Sequence, residues 1–467
     1  AQPFVKRLQE YAPIENISRL NTQSTDKEIK GIVDVISHST QTIIAIFSDK
    51  KEEIQLAEKI LKKATGKVLV FFTSPYSIPK YEELTAEAEA IIVAYENNPV
   101  MQECAAEVLF GGTSADGKLP VSTGKYPQGS GIFIPECRLG HAFPEEVDMD
   151  SRILSRIDSI VQEGIDSMAF PGCQIIITRH KKIIYDRAFG YFDYEKKRPV
   201  STNDLYDLAS ITKAMGTLPA IMWLNDHEQV SLNAPLCFYL PEMRDYGLSA
   251  ITLRQTLMHE SGLPAGISLR RLLIDPDSYS APLLKRGRDS EYPIQVDKDW
   301  FVQKDCRLKP WLFHNKTSRS YPLHIAEELY ASPSLPDSIW HKILSVSKSD
   351  RRYRYSDLNF VILQKLTERV SGEPLDRFID RRLLQPIGAY HTTFRPREKF
   401  PISDIAPTEN DRLFRQQLVV GYPHDELACF MGGVSGNAGL FSNARDMAKI
   451  LQMLQNNGTY GREDYFE

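Results

Sequence analysis

Residues 206–215 read YDLASITKAM and place Ser210 three positions before Lys213. Side chains three apart on a helix share one face, so this spacing predicts that the Lys213 amine lies beside the Ser210 hydroxyl. A serine at a helix start also lies close to unpaired backbone N–H groups, and a buried lysine can accept a hydroxyl proton. The stretch therefore predicts a serine nucleophile with an amine base. The alternative is a helix N-cap beside a solvated lysine.

The Ser-x-x-Lys pattern occurs six times in this chain, so its spacing alone is a weak signal. The copy at Ser210 follows a short apolar lead-in and opens a helix-compatible run over residues 214–224. The copy at Ser77 contains a proline and the copy at Ser122 runs through glycine, whereas the other three lie in polar surroundings, at Ser24, Ser48 and Ser345. Context therefore favours Ser210 as the functional copy.

Composition excludes several classes of protein. The 467 residues are 42% hydrophobic and 25% charged, as in an ordinary globular protein long enough for two or more domains. A net charge of −5 gives no basic field for nucleic acid, and no apolar run reaches membrane-spanning length. The six cysteines are scattered and no His-Glu-x-x-His occurs, which argues against zinc sites and a disulfide scaffold. We expect no metal, no cofactor, no nucleic-acid partner and no membrane span.

The first third of the chain alternates continuous apolar runs with helix-compatible segments. The apolar runs cover residues 42–47, 67–72 and 90–95. Continuous apolar strands separated by helices are typical of a parallel sheet covered on both faces. We therefore predict an α/β domain over residues 1–135. The chain from Tyr126 to Asp150 is rich in Gly and Pro, and we predict a linker over residues 136–150.

Three segments of this α/β domain resemble a known family. Residues 91–96 (IIVAYE), 108–112 (VLFGG) and 117–121 (GKLPV) are similar to the C-terminal α/β sandwich domain of family 3 glycoside hydrolases. In that family the nucleophile lies on a barrel domain that precedes the sandwich. The resemblance implies that residues 1–135 cannot cleave sugars alone. It further implies a parent protein with an upstream glycosidase barrel of the β-N-acetylglucosaminidase type.

The second domain, residues 151–467, has a different pattern. An amphipathic helix over residues 153–170 precedes two apolar strand segments joined by a charged turn at residues 180–182. Antiparallel strands beside a helical portion that begins at Ser210 predict an α+β fold, with an antiparallel sheet and a helical part.

Two further segments carry candidate site residues. Tyr355 and Asp357 stand just before a periodic helix over residues 361–370. A tyrosine beside an ammonium can shuttle protons; the alternative is a simple helix entrance with Asp357 as its cap. His259 lies in the segment MHESGLP, residues 258–264, which also fits a helix that ends at glycine and packs near the site.

Four segments together resemble the serine β-lactamase, penicillin-binding-protein and esterase superfamily, in its class C-like branch. They are residues 170–174 (FPGCQ), 207–213 (DLASITK), 257–264 (LMHESGLP) and 355–357 (YSD), and the later segment 436–442 (GNAGLFS) is also similar. They occur in the order that the family has. The resemblance implies a β-lactamase/transpeptidase-like fold for residues 151–467.

The resemblance also implies a role for each candidate residue. Ser210 would attack an acyl carbonyl, and Lys213 and Tyr355 would move the proton from the serine to the leaving group. The Ser210 N–H would form half of an oxyanion hole. Asp357 and His259 are candidate substrate-binding residues, although Asp357 stands where the family usually has asparagine.

One family motif has no match in this sequence. The family carries Lys-Thr-Gly or His-x-Gly on a late strand that borders the cleft and supplies the second oxyanion N–H, and nothing after Tyr355 matches it. We therefore expect a domain that is truncated at its C-terminus and lacks half of its oxyanion hole.

Three functional hypotheses follow. The first is an acyl-enzyme serine hydrolase that acts on an amide or ester of a small acyl, glycan or peptidoglycan-derived substrate. The second is a non-catalytic module that binds cell-wall fragments, and the third is a β-N-acetylhexosaminidase whose barrel lies upstream. The tandem order resembles periplasmic or secreted enzymes of Bacteroides-like bacteria, so we expect that location.

Overall fold

A computed structural model describes residues 2–349 and 352–466. The chain divides into two compact units. The first unit extends to Asp148 and includes Thr178–Ile184, and the second contains Met149–Ile177 and the chain from Tyr185 onward. Each unit is described by itself below.

The first unit is built on a three-stranded parallel sheet of order β1-β2-β3, as the continuous apolar runs predict. Its strands are β1 (Thr42–Ile46), β2 (Lys67–Phe71), β3 (Ala90–Val93) and the separate short strand β4 (Gly140–His141). Its helices are α1 (Pro3–Tyr11), α2 (Asp26–His38), α3 (Lys51–Leu61), α4 (Glu82–Ala86) and α5 (Pro99–Phe110), with 3₁₀ turns at Pro75–Lys80 and Pro144–Val147.

Side chains of the central strand β2 alternate between two apolar clusters. Leu69 and Phe71 pack in the cluster that contains Ile54 of α3, whereas Val70 and the following Phe72 pack with residues of α1 and α5. Successive side chains of a strand point to opposite faces of the sheet. Both faces of this sheet are therefore covered by helices, which explains why the strands are apolar throughout.

The predicted linker, residues 136–150, makes specific hydrogen bonds within the first unit. The N–H groups of Cys137 and Arg138 donate to the Gly111 carbonyl at 2.8 and 2.9 Å, and the Tyr11 hydroxyl donates to the Leu139 carbonyl at 2.8 Å. The chain up to Asp148 therefore packs as part of this unit and not as a free linker.

The second unit combines many helices with several small antiparallel sheets. Its helices are α6 (Ser151–Leu154), α7 (Arg156–Asp166), α8 (Leu218–Asp226), α9 (Leu253–Leu257), α10 (Arg270–Leu273), α11 (Leu335–Leu344), α12 (Asp357–Ser371), α13 (Leu375–Ile379), α14 (Gln385–Ile387), α15 (Glu426–Phe430) and α16 (Ala444–Gln455). The predicted helix over residues 153–170 is thus interrupted at Ser155 and ends at Asp166.

The strands that follow Met149 are short apart from a first hairpin, whose tip, Thr178–Ile184, belongs to the first unit. They are β5 (Gly172–Arg179), β6 (Lys182–Gly190), β7 (Tyr206–Asp207), β8 (Leu284–Arg286), β9 (Ile294–Asp297), β10 (Trp300–Val302), β11 (Phe313–His314), β12 (Leu323–Ala326), β13 (Leu329–Ala331), β14 (Thr393–Phe394), β15 (Pro407–Asp411), β16 (Gln417–Val420), β17 (Leu440–Ser442), β18 (Thr459–Tyr460) and β19 (Glu463–Asp464). The hairpin turn between β5 and β6 has positive φ at His180 and Lys181, the backbone of a type I′ turn.

Helix α12 is the core helix of the second unit. Nine of its residues are buried, from Leu358 to Thr367, and it ends at Gly372 in the left-handed conformation. It packs against α8, α9 and α13. Because Tyr355 and Asp357 stand at its N-terminus, the core of this unit determines their position.

Candidate active site

Ser210 lies on a tight turn that precedes a helix. Ala209 has φ +43°, a left-handed conformation that alanine rarely adopts and that occurs often at functional sites. The Asp207 carboxylate stabilises this turn because its Oδ1 accepts a hydrogen bond from the Ala209 N–H at 2.9 Å. The turn leaves Ser210 exposed to solvent.

The helix after Ser210 differs from the continuous helix that the sequence predicts. Residues 211–212 are α-helical, Lys213–Thr217 form a π turn, and α8 begins at Leu218. Pro219 has no N–H to bond the Met215 carbonyl, and its ring would clash with that carbonyl in a regular α-helix. A wider turn before Pro219 relieves this conflict, and such turns are frequent at functional sites.

The segment that carries Ser210 is anchored on β17. Strand β7 pairs with β17 in antiparallel register, Asp207 opposite Phe441. Beyond the strand, the Leu208 N–H donates to the Leu440 carbonyl at 2.9 Å, and the Leu440 N–H donates to the Thr212 hydroxyl at 3.1 Å. These bonds hold both sides of Ser210 against one strand.

The Lys213 amine has three acceptors around it. Its Nζ lies 2.8 Å from Ser210 Oγ, 2.9 Å from the Asn437 carbonyl oxygen and 2.6 Å from Asp357 Oδ1. Lys213 is only 6% exposed. A buried amine requires such partners, since an unpaired buried charge is costly. The sequence prediction that Lys213 contacts Ser210 is therefore met by the geometry.

Tyr355 reaches the same oxygen from the other side. Its hydroxyl donates to Ser210 Oγ at 3.0 Å, and the Lys213 Nζ lies 5.0 Å from the centre of its ring. The tyrosine is 43% exposed. Ser210 Oγ thus has a phenol and an amine within hydrogen-bond distance while it faces solvent.

Asp357 is the first residue of α12 and faces Lys213. Its N–H donates to the Ala265 carbonyl at 2.9 Å. Its Oδ1 forms the ion pair with Lys213. In this structure the carboxylate therefore contacts the amine, and its predicted contact with substrate stays a prediction.

His259 lies behind Tyr355. The centres of the two rings are 4.7 Å apart, and His259 Nδ1 accepts a hydrogen bond from the Ser356 N–H at 3.0 Å. Burial lowers the pKa of His259, the nearby Lys213 charge lowers it further, and Asp357 opposes both. Its predicted substrate-binding role also stays a prediction.

The backbone N–H of Ser210 is available as a donor. Among residues 2–349 and 352–466 it makes no hydrogen bond, and Ser210 is exposed. An N–H in this position could stabilise a developing oxyanion, in agreement with the proposed half of an oxyanion hole. Of the six Ser-x-x-Lys copies, the described hydrogen bonds join serine and lysine side chains only at Ser210 and Lys213.

Sequence reasoning missed the role of the loop before β17. The Asn437 carbonyl binds Lys213, and the Asn437 side chain is held by Ser435 and Asp425. A Cβ at Gly436 would lie 2.0 Å from the Phe360 carbonyl oxygen. Gly436 was the residue in the sequence that could have indicated this loop, because only glycine permits the backbone to approach the Phe360 carbonyl so closely.

No group of metal-ligating side chains is present in the part of the chain that the structure describes. Within those residues, no helix combines the length and apolar character that crossing a membrane requires.

The chain is similar to several known proteins. The beta-lactamase family model matches residues 157–465. A Salmonella typhimurium protein named "Putative D-alanyl-D-alanine carboxypeptidase" is 28% identical over 351 residues, which cover 70% of this chain and 69% of the relative. The octameric penicillin-binding protein homologue from Pyrococcus abyssi is 24% identical with a TM-score of 0.44, over 67% of this chain and 58% of that chain.

A class C beta lactamase from Rhodobacter sphaeroides is 16% identical with a TM-score of 0.43, over 67% of this chain and 69% of that one. The chain spans less than two thirds of the Pyrococcus homologue. The family model, in contrast, covers more than half of this chain and includes Ser210, Lys213 and Tyr355. The chain therefore belongs to the beta-lactamase family, the serine hydrolases of the beta-lactamase and penicillin-binding-protein type.

Proposed function

We propose that residues 149–466 form an acyl-enzyme hydrolase in which Ser210 is the nucleophile. The observation that carries this proposal is the position of Ser210 Oγ, 2.8 Å from Lys213 Nζ and 3.0 Å from the Tyr355 hydroxyl. A hydroxyl becomes a competent nucleophile when a proton acceptor is within hydrogen-bond reach. The Ser210 side chain has two neighbours that can exchange protons, the Lys213 amine and the Tyr355 phenol, on a surface that substrate can approach.

The chemistry follows from these contacts. Ser210 Oγ attacks the substrate carbonyl carbon while its proton passes to the Lys213–Tyr355 pair, which can accept it only when the pair has first lost one proton, as a neutral amine or a phenolate. The Ser210 N–H donates to the oxyanion. Collapse of the tetrahedral intermediate breaks the amide or ester bond, and the leaving amine or alcohol takes the proton from the same pair. Water then attacks the Ser210 ester and loses a proton to that pair. As the second intermediate collapses, the pair returns this proton to Ser210 Oγ, and the acid is released.

The substrate class is proposed from the relatives. The Salmonella relatives carry the name of a D-alanyl-D-alanine carboxypeptidase, so a peptidoglycan-derived peptide amide is our first substrate. An ester of an acylated glycan is the second, because amides and esters use the same nucleophile and base. Such substrates place the enzyme outside the cytoplasm, in the periplasm or the medium.

A fluorophosphonate probe tests the proposed nucleophile. We expect peptide mass spectrometry to find one adduct on Ser210 in the wild-type chain and none in S210A. Hydrolysis of a D-Ala-D-Ala peptide and of p-nitrophenyl acetate then distinguishes peptidase from esterase activity. A folded wild-type chain that neither reacts with the probe nor hydrolyses these substrates would contradict the proposal. Binding of cell-wall fragments that survives S210A would then support the non-catalytic module.

For the first unit we propose a role beside a family 3 glycosidase barrel. Support comes from the parallel order of β1, β2 and β3 and from the VLFGG segment, in which Gly111 ends α5 in the left-handed conformation. The test is hexosaminidase activity of the full reading frame, before and after removal of any upstream barrel. Activity without a barrel, or a reading frame that encodes none, would contradict this role.

A further inference from the structure

The backbone on both sides of Tyr355 is bonded to one residue. The Arg354 N–H donates to the His259 carbonyl oxygen at 2.8 Å, and the Ser356 N–H donates to His259 Nδ1 at 3.0 Å. The His259 ring also contacts the Tyr355 ring, with centres 4.7 Å apart. His259 therefore restrains both the backbone and the side chain of the tyrosine.

The hydrogen bonds determine which nitrogen of His259 carries a proton. A backbone N–H is always a donor, so Nδ1 must accept from Ser356. Asn359 Nδ2 lies 3.2 Å from the same Nδ1, and the Ser261 hydroxyl donates to Asn359 Oδ1 at 2.6 Å, which orients the amide with its nitrogen towards His259. Nδ1 thus faces two donors, and the ring is neutral with its proton on Nε2.

We infer that His259 is a positioning residue that works only in its neutral form, in which Nδ1 holds the Tyr355 turn and so keeps the phenol against Ser210. This inference rests on the proposed function, because Tyr355 matters through its contact with Ser210. Protonation of Nδ1 would place one N–H against two others, so the Ser356 bond would break and the tyrosine would lose its restraint.

The surroundings of the ring favour the neutral form. The charged groups that act on it are the Lys213 ammonium and the Asp357 carboxylate. Its aromatic neighbours are Tyr353, Tyr355 and Phe360. Burial and Lys213 lower the pKa of His259 below 6.5, and Asp357 opposes them. The neutral ring therefore persists at neutral pH and is lost only in acid.

The backbone at His259 decides which variants are informative. Its φ of +57° is left-handed, a conformation that glycine and asparagine adopt at low cost. Asparagine also supplies Oδ1, an acceptor at the same number of bonds from the backbone as Nδ1, and it does not titrate. H259G also tolerates the left-handed backbone, but its residue has no side-chain acceptor for the Ser356 N–H. The two variants therefore separate the acceptor from the backbone strain.

The experiment measures the rate of Ser210 labelling by a fluorophosphonate from pH 5 to 9 in the full chain. We expect H259G to react about 100-fold more slowly than wild type, the usual cost of a misplaced group, with a melting temperature close to that of H259N. We expect H259N to recover most of the rate and to lose the acid decline that His259 causes below pH 6.5. H38N, at an exposed histidine, should behave as wild type.

Two outcomes would overturn the inference: H259G that reacts as fast as wild type, or an acid decline in H259N identical to that of wild type. Nitrogen NMR of the imidazole provides a readout that needs no activity. We expect an unprotonated Nδ1 and a protonated Nε2 at pH 7.5, and the opposite tautomer would contradict the inference. Failure of wild-type labelling would instead contradict the proposed hydrolase.

Discussion

The Lys213 ammonium and the Asp357 carboxylate lie 2.6 Å apart, and the same ammonium lies 2.8 Å from Ser210 Oγ. The two charged side chains differ in exposure, 7% for Lys213 and 29% for Asp357. The carboxylate therefore neutralises a buried amine from the solvent side of the site. The structure gives Asp357 a clear electrostatic partner at the position where asparagine is usual in the resembled superfamily.

Replacement of Asp357 tests this ion pair. We expect D357A to lower the free energy of unfolding by about 1–2 kcal/mol, less than for a fully buried pair because Asp357 is partly exposed. D357N keeps the shape and an amide oxygen that can accept from Lys213, so we expect a smaller loss and retained labelling of Ser210. Urea unfolding and probe labelling measure both effects. Equal stability of D357A and wild type would show that the ion pair contributes nothing.

Removal of the Tyr355 hydroxyl tests its part in proton transfer. We expect Y355F to lower kcat/KM by about 100-fold or more, the usual contribution of a general acid–base group. The hydroxyl contacts only Ser210 in the described hydrogen bonds and the side chain is 43% exposed, so we expect the melting temperature to change little. Esterase kinetics and thermal melting provide the comparison. Full activity in Y355F would assign the proton transfer to Lys213 alone.

The close approach at Gly436 predicts a position that tolerates no side chain. In G436A the new Cβ would lie 2.0 Å from the Phe360 carbonyl oxygen, so the loop must move and the Asn437 carbonyl must leave Lys213. We expect a loss of about 1–3 kcal/mol in stability, as for other overpacked sites, together with slower labelling of Ser210. G117A is the control, because no heavy atom lies within 4 Å of its Cβ. Equal behaviour of the two variants would contradict this reasoning.

The half-buried ring of His391 predicts a pH dependence of stability. Burial lowers the pKa of His391, Asp446 opposes this shift, and Lys449 adds to it. Because the folded pKa lies below the ordinary 6.5, the unfolded chain binds more protons in the interval between the two values. This contribution to stability is complete above pH 6.5 and is lost as the pH falls through the folded pKa. We expect the urea midpoint of wild type to fall on acidification more than that of H391Q. If the midpoints of the two proteins changed equally with pH, this prediction would be wrong.

Several features could be predicted from local sequence. The Ser210–Lys213 spacing places both groups on one helix face, and the structure confirms their contact. Tyr355 was identified by its place before an apolar periodic helix, which is α12. The alternation of apolar runs in the first unit predicted the parallel order of its strands. Each of these features depends on periodicity or on a motif within a few residues. The C-terminal truncation with its missing half of the oxyanion hole and the relation to family 3 glycosidases stay predictions.

Only the tertiary structure decided how distant segments meet. Tyr355 and Ser210 are 145 residues apart, and Asn437 follows Lys213 by 224 residues. Three other features were likewise not visible in the sequence. They are the two hydrogen bonds between His259 and the backbone around Tyr355, the π turn at Lys213–Thr217, and the hydrogen bonds of residues 136–148 within the first unit. The sequence by itself determined which residue types could perform the chemistry, because motif and periodicity are local. Their meeting at one oxygen depends on the packed core around α12 and β17, which no local pattern encodes.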